Sequence, residues 1–407
     1  MQRACSIFFY DGYVSLAPTV ISLSEVLEQQ GYSVTIYATY TNTPQPKSLG
    51  KDIKIFYFSK KIKLLDSINK PVVGNFLTIS RVLKFASQCL KEKNHSEVEQ
   101  VNIGVDLYGS VAALFRFYVF KQKFLFLSLE LENPEAKFKR FSQFFVNILN
   151  LAYRKAEAVI IQDEERYKTL IEYCHYQHEK VFYLPNSPLS SPETLNSGGN
   201  ENFFREKLNL NSEKFPYLIL SAGMICESVC STVLARAFAK VDNGCALIFH
   251  GVVREPNEAA YLNSLKQANA DNLFLSLDLV LYEQIDRIYQ AATIGLAFYD
   301  NCDDNFSKIA MASGKLPQYL KHGKPVLVSN LPSLSRLVEQ YNIGIVIKDP
   351  SDSEEIQSAL EKLLSSYETY SQNAQLCFEA EFDFAKKMQP LLGFMDKLCE
   401  NPASAKN

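Results

Sequence analysis

The chain has 407 residues, of which 47% are hydrophobic and 21% charged, with a formal net charge of -3 at pH 7. That length exceeds what one core comfortably serves and predicts two domains. The composition is that of an ordinary globular protein and carries no nucleic-acid signature.

Nine cysteines (Cys5, Cys89, Cys174, Cys226, Cys230, Cys245, Cys302, Cys377 and Cys399) are scattered, without C-x-x-C spacing. They read as reduced, mostly buried thiols of a cytoplasmic protein. The five histidines do not cluster with them, so no zinc site is expected. The opening MQRACSIFFYDGY is too short in its apolar run for a signal peptide and reads as a first buried strand. No apolar run reaches the roughly 18 residues of a membrane span, which leaves peripheral membrane contact open.

Residues 6–10 (SIFFY) predict an apolar strand ending in Asp11-Gly12-Tyr13. Residues 17–30 follow with helical periodicity through Val20, Leu23, Val26 and Leu27, closed by Gly31, and residues 32–37 form the next strand. This βαβ pattern opens a Rossmann-like domain, with Gly12 either a plain tight turn or a close approach to ligand. Residues 53–58 add a strand. The segment from 47 to 93 is basic, with Lys47, Lys51, Lys54, Lys60, Lys61, Lys63, Lys70, Arg81, Lys84, Lys91 and Lys93 against Asp52, Asp66 and Glu92. It reads as a solvated face, with docking on anionic lipid or a phosphate-bearing acceptor as the alternative.

Strands at 102–108 and 123–129 flank a helix at 110–119, and the second strand runs into Glu130-Leu131-Glu132. Residues 136–156 predict one amphipathic helix carrying Phe138, Phe141, Phe144, Phe145, Ile148, Leu149 and Tyr153, with Lys137, Lys139 and Arg140 near its start. Such spacing builds core, a membrane-facing stripe being the alternative. Residues 158–162 (AVIIQ) form a strand, 164–173 a helix and 181–184 the last strand of this half.

Residues 187–202, rich in Ser, Pro, Gly and Asn, predict a linker. The pattern then restarts with a strand at 217–221, the turn Ala222-Gly223-Met224 and a helix at 231–240. A strand at 246–250 ends at Gly251, followed by helices at 259–268 and 281–291 around a short strand at 273–275. From 294 to 347, strands at 294–298, 326–328 and 343–347 alternate with helices at 315–321 and 333–341. Helices at 353–366 and 370–391 follow, and 402–407 should fray. Short Val/Ile/Leu strands alternating with helices predict parallel sheets covered on both faces, with ligands outside the carboxyl ends of the strands.

The loop 299–314 leaves one such end and opens onto a helix N-terminus, where backbone N–H groups can hold an anion. Ser313 predicts an N-cap, Gly314 allows backbone to approach a phosphate, and Lys315 adds a positive charge. The plain alternative is a capped helix and a solvated lysine.

Two Rossmann-like halves joined by a Pro-Asn-containing linker resemble the GT-B fold of nucleotide-sugar glycosyltransferases, most closely the retaining family 4, the glycosyl transferases group 1. Gly12 before its helix is similar to the family's glycine-rich loop. AVIIQ with Asp163-Glu164, then Leu184-Pro185-Asn186, resembles the end of its N-terminal domain. Ser221-Ala222-Gly223 resembles the start of the donor domain, Phe249-His250-Gly251 its second strand end, and Gly323-Lys324-Pro325-Val326 its G-x-P-V turn. The resemblance covers nearly the whole chain. It implies an acceptor domain at 1–188, a donor domain at 189–380, and a helix and tail at 381–407 crossing back to the first, with a cleft between the two domains.

The departures lie in the site. The family places two glutamates ahead of the G-x-P-V turn, one for the sugar and one for the ribose; those positions hold Ala310 and Gln318. Gln318 retains a hydrogen-bonding amide for a ribose hydroxyl. The Arg and Lys that clamp the diphosphate are replaced by Met224 and a stretch without a cation through Ser228-Val229. Ser313-Gly314-Lys315 would stand in for them, aimed at the charge that grows on a diphosphate leaving group. Glu130 and Glu132 would orient or deprotonate the acceptor hydroxyl, or form a solvated turn. Asn305, with Asp300, Asp303 and Asp304, would touch sugar hydroxyls or stay wet. His250 and Gly251 would face the phosphates, a core histidine being the commoner outcome, and Arg254 and Lys308 are further diphosphate candidates. The expected protein is a metal-independent, cofactor-free enzyme that moves a hexose from a nucleotide-diphosphate sugar to a glycan or lipid-linked acceptor, with retention. The alternatives are an inactive GT-B-like binding or scaffold protein and a nucleotide-sugar epimerase.

Overall fold

Short apolar strands, most of them followed by a helix, fold into two all-parallel sheets with helices on either side. The structure is a computed structural model that describes residues 3–46, 49–59, 74–91, 99–138, 143–190, 202–241, 244–268 and 270–400. Outside them lie Lys47, Lys60, Lys61, Lys63, Lys70 and Lys93 of the basic segment, with Asp66 and Glu92. Lys139, Arg140 and Phe141, linker residues 191–201 and the tail 401–407 also lie outside the described residues. The chain divides into two units: Met1–Pro185 with Phe384–Asn407, and Asn186–Asp383.

Unit 1 contains β1 (Arg3–Phe9), β2 (Tyr32–Thr39), β3 (Ile53–Phe58), β4 (Glu99–Val105), β5 (Phe124–Leu127), β6 (Val159–Ile161) and β7 (Val181–Tyr183), in the order β3-β2-β1-β4-β5-β6-β7. Its helices are α1 (Pro18–Gln29), α2 (Gly74–Lys91), α3 (Asp106–Phe120), α4 (Pro134–Lys137), α5 (Gln143–Lys155) and α6 (Glu164–Cys174). Phe8, Phe124, Phe126, Leu149 and Tyr153 lie in the core that α2, α3 and α5 cover.

Two expectations need correction here. The strand expected at 102–108 stops at Val105, because Asp106 takes a left-handed φ of 52° and starts α3. The single helix expected at 136–156 is two, α4 and α5. Phe138 closes α4 and inserts its ring edge-on against Tyr108 and Phe145, which turns the chain.

Unit 2 contains β8 (Tyr217–Ile225), β9 (Cys245–Val253), β10 (Leu273–Ser276), β11 (Ile294–Ala297), β12 (Val326–Ser329) and β13 (Gly344–Ile347), in the order β10-β9-β8-β11-β12-β13. Its helices are α7 (Phe203–Leu208), α8 (Ser231–Phe238), α9 (Glu258–Lys266), α10 (Ile285–Gln290), α11 (Asp304–Ser307), α12 (Leu316–Lys321), α13 (Pro332–Tyr341), α14 (Ser353–Ser365) and α15 (Tyr367–Cys377). The expected helix 370–391 is broken: α15 gives way to a π-helical turn, Phe378–Phe382, and the chain returns to unit 1 as α16 (Phe384–Lys387) and α17 (Gln389–Glu400). There Asp396 binds Arg3 and accepts a hydrogen bond from Tyr32 Oη at 2.8 Å, fixing α17 to the starts of β1 and β2.

Strand order reverses between β1 and β4 in one sheet and between β8 and β11 in the other. In parallel sheets of this kind the crevice at the reversal binds ligand.

Candidate functional site

The site of unit 2 begins with an absent side chain. Gly295 on β11 leaves room for the ring of Tyr319 from α12; a Cβ there would lie 2.3 Å from that ring. The Tyr319 hydroxyl donates to Leu220 O at 2.7 Å and accepts from Ala222 N–H at 3.1 Å. This hooks α12 to β8 one residue short of Gly223, at the reversal of strand order.

The loop from β11 to α12 is pinned from several sides. Asn186 donates its backbone N–H to Met311 O (2.8 Å) and its amide to Ala312 O (2.9 Å). Tyr299 N–H donates to Ser329 Oγ at 3.0 Å, and the Tyr299 hydroxyl lies 2.6 Å from Ser313 Oγ. Ser313 Oγ in turn accepts from Leu316 N–H at 3.1 Å, but the N-cap position of α12 falls on Lys315 and not on Ser313, with half-buried Gly314 between them. The anion-holding role expected of this helix end is weaker than the sequence suggested. The helix has six residues, Leu316 spends its N–H on Ser313, and Pro317 has none.

The charge comes from a side chain instead. Lys315 is 8% exposed, with Nζ 4.7 Å from the centroid of the Tyr299 ring. Burial pushes its pKa down to about 8, partly offset by the nearby Cys226 and Cys230 thiols. No carboxylate among the described residues pairs with it. The solvated-lysine alternative therefore fails. Gln318 is 2% exposed, and its Oε1 is buried without a hydrogen-bond partner. Such orphaned groups are uncommon and costly. One end of the site thus lacks an anion and the other a donor, while Ala310, at the other departed position, is simply core.

Gly223 and Gly251 need correction, and with them the strand end at His250. Neither glycine closes its strand, since β8 and β9 run on to Ile225 and Val253 in the register Gly223↔Gly251. A Cβ on Gly251 would come 1.8 Å from Gly223 O, so the glycine lets the two backbones continue side by side. Gly223, with φ 104°, faces open space. His250 Nδ1 lies 2.9 Å from Ser276 Oγ, and its ring meets Phe204 edge-on. Burial, helped by nearby Lys207, lowers its pKa to about 4, so it brings no positive charge at neutral pH. In the loop beyond β11, Asp303 caps α11 through Phe306 N–H, Asp304 pairs with Lys308, and Asn305 is half-buried in the same turn. Arg254 is exposed just past β9.

In unit 1 the reversal point collects carboxylates. Gly12 has φ 79°, and a Cβ there would strike Thr39 O at 1.9 Å, so the glycine serves the turn beside β2. Asp106 is buried, and its Oδ1 accepts from Leu129 N–H (2.7 Å) and Glu130 N–H (3.0 Å). Desolvation, then the neighbouring Glu132, holds its carboxyl well above the usual range. The Glu130 side chain is exposed; its backbone is what meets Asp106. Glu132 binds Lys137, whose ammonium lies 4.7 Å from the Tyr108 ring centroid, and burial raises the Glu132 pKa despite that cation. Its Oε2 is buried without a partner.

Asp106 and Tyr299 were missed by sequence reasoning. Asp106 was hidden inside an expected strand, although an Asp directly after an apolar run is a signal for a strand-to-helix turn. Tyr299 reads as the first residue of the polar loop 299–314, and nothing local marks it. Among the described residues, no group of three or more His, Cys, Asp and Glu comes together as a metal-ligand set. No helix among them is long and apolar enough to cross a membrane.

Neither protein-family models nor curated protein sequences match the chain. Solved structures do. Sucrose-phosphate synthase from Thermosynechococcus elongatus superposes with a TM-score of 0.67 at 13% identity, over 97% of this chain and 99% of that one. Anabaena HepE, in complex with UDP and glucose, gives a TM-score of 0.65 at 15% identity, over 98% of this chain and 100% of that one. WaaG, a glycosyltransferase involved in lipopolysaccharide biosynthesis, gives 0.57 at 14% identity, over 98% of each chain. The fold is GT-B. At these identities the likeness is one of fold, and in this GT-B chain the site residues stand on their own geometry.

Proposed function

We propose that the chain is a glycosyltransferase that moves a hexose, with retention, from a nucleoside-diphosphate sugar to a hydroxyl of a glycan or lipid-linked acceptor. The observation that carries this reading is the buried, uncompensated Lys315 at the start of α12, with the orphaned Oε1 of Gln318 three residues on in the same helix, at the strand-order reversal of unit 2. A nucleoside-diphosphate sugar supplies what both lack: phosphate charge for the ammonium and a sugar or ribose hydroxyl for the amide oxygen. As the glycosidic bond breaks, negative charge grows on the diphosphate, and an ammonium fixed in a water-poor site stabilises it without reorganisation. Solved neighbours support the donor class, since HepE is known in complex with UDP-glucose and the E. coli trehalose-6-phosphate structure is bound with UDP-2-fluoro glucose.

The acceptor belongs to unit 1, at the carboxyl ends of β1, β4 and β5. Glu130 is the first candidate for activating its hydroxyl, and Asp106, whose carboxyl burial holds well above the usual range, is the second. One observation favours a rival reading: Ala310 and Gln318 remove both charges of the usual glutamate pair, as in a GT-B-like protein that binds but does not react. Thermal-shift measurements on the full chain with UDP-, GDP- and dTDP-hexoses, followed by donor hydrolysis, separate the readings. A shift with turnover supports the transferase, a shift without turnover supports the binding protein, and no shift with any donor sinks both.

A further inference from the structure

The last turn of α3 projects from unit 1. Tyr118, Val119 and Phe120 are consecutive and 47%, 58% and 39% exposed. Successive helical residues point about 100° apart, so three exposed in a row mark a tip that no neighbour covers. The tip is firmly based. Arg116, fully buried beneath it, donates to Cys89 O of α2 at 2.7 Å and lies 5.3 Å from the Phe120 ring centroid.

A cation ends or follows each of the three helices at this corner. Lys121 follows it in a left-handed conformation and is exposed. Exposed Lys91 ends α2 two residues beyond the carbonyl that Arg116 holds. Exposed Lys155 ends α5, and two residues later Glu157 N–H donates to Phe124 O at the start of β5, at 2.9 Å. That bond brings the end of α5 to the same edge as the turn 121–123. The turns 121–123 and 156–158 contain one carboxylate, Glu157.

We propose that this corner of unit 1 docks on an anionic lipid bilayer, the apolar tip entering the headgroup boundary and the lysines meeting lipid phosphates. Charge complementarity selects this occupant over a second copy of the chain. A two-fold contact through the tip would set Lys121 and Lys155 against like charges of the partner. An anionic surface instead attracts them, while the aromatic and aliphatic tip suits the interface. The inference does not depend on the donor assignment in unit 2.

Co-sedimentation of the full chain with phosphatidylglycerol/phosphatidylcholine vesicles at physiological salt tests it. Wild type should bind these vesicles and not phosphatidylcholine alone. The Lys121→Glu/Lys155→Glu variant should lose about tenfold in partitioning, and Val119→Asp should lose binding at low salt as well. All these positions are exposed, and unchanged melting temperatures confirm that the variants fold. Equal partitioning of wild type and both variants overturns the proposal. So does failure of wild type to bind anionic vesicles, or concentration-dependent dimerisation that Val119→Asp abolishes.

Discussion

Burying the ammonium of Lys315 without a carboxylate destabilises the fold, and the effect has a measurable sign. Its folded pKa of about 8 lies below the unfolded value, so the penalty is fully present below pH 8 and fades as pH rises toward the unfolded pKa. The fall from 10.5 to about 8 corresponds to about 3 kcal/mol. Lys315→Met should therefore be more stable than wild type at pH 7, with the difference shrinking above pH 9 in paired thermal melts. A destabilised Lys315→Met would mean that the lysine has a partner in the fold after all. His250 shifts the same way and with the same sign, in a lower pH window. Its pKa of about 4 lies below the unfolded value near 6.5, so folding resists its protonation, and stability falls as pH drops through 6.5 toward 4. Between pH 7 and pH 5 this amounts to about 2 kcal/mol. His250→Phe should flatten that part of the urea-midpoint profile; an unchanged pH dependence would contradict the buried neutral ring. At this scale the sequence was partly legible. Ser313-Gly314-Lys315 stood out because hydroxyl, glycine and cation are adjacent, but the burial of Lys315 depends on Tyr299, which is sixteen positions away in sequence and reaches it only through the folded loop.

At the scale of elements, Gly295 decides how α12 meets the sheet. The Tyr319 ring occupies the space of the missing side chain, and its hydroxyl serves two backbone groups of β8. Gly295→Ala should cost about 1–3 kcal/mol through overpacking and weaken donor binding with it, because α12 carries Gln318. Chemical denaturation with a nucleotide titration checks both effects; a variant as stable as wild type would show that the ring moves freely. Strand existence and order of appearance were readable from apolar runs bounded by turn residues. Strand ends were not. β8 and β9 run past their expected ends because two paired glycines continue the ladder, and a glycine in sequence reads as a stop. Residues 136–156 keep one helical hydrophobic period, yet Phe138 leaves the helix to pack edge-on with Tyr108, a contact no local pattern encodes.

At the scale of the molecule, the βαβ rhythm in each half was enough to reach GT-B, because parallel strands joined by helices admit few topologies. The chemistry was harder to reach. The usual charged residues are absent at their usual positions, and an uncompensated cation becomes visible only when burial is known. The most direct test is calorimetric titration of the full chain, wild type and Lys315→Met, with UDP, GDP and dTDP. One of the three should bind wild type, and the Met substitution should weaken that binding at least about tenfold, in keeping with the loss of a charge-assisted contact, while the protein melts no lower than wild type. Equal affinity in the two proteins, or no binding of any of the three nucleotides to wild type, would contradict the placement of a nucleoside-diphosphate sugar at Lys315.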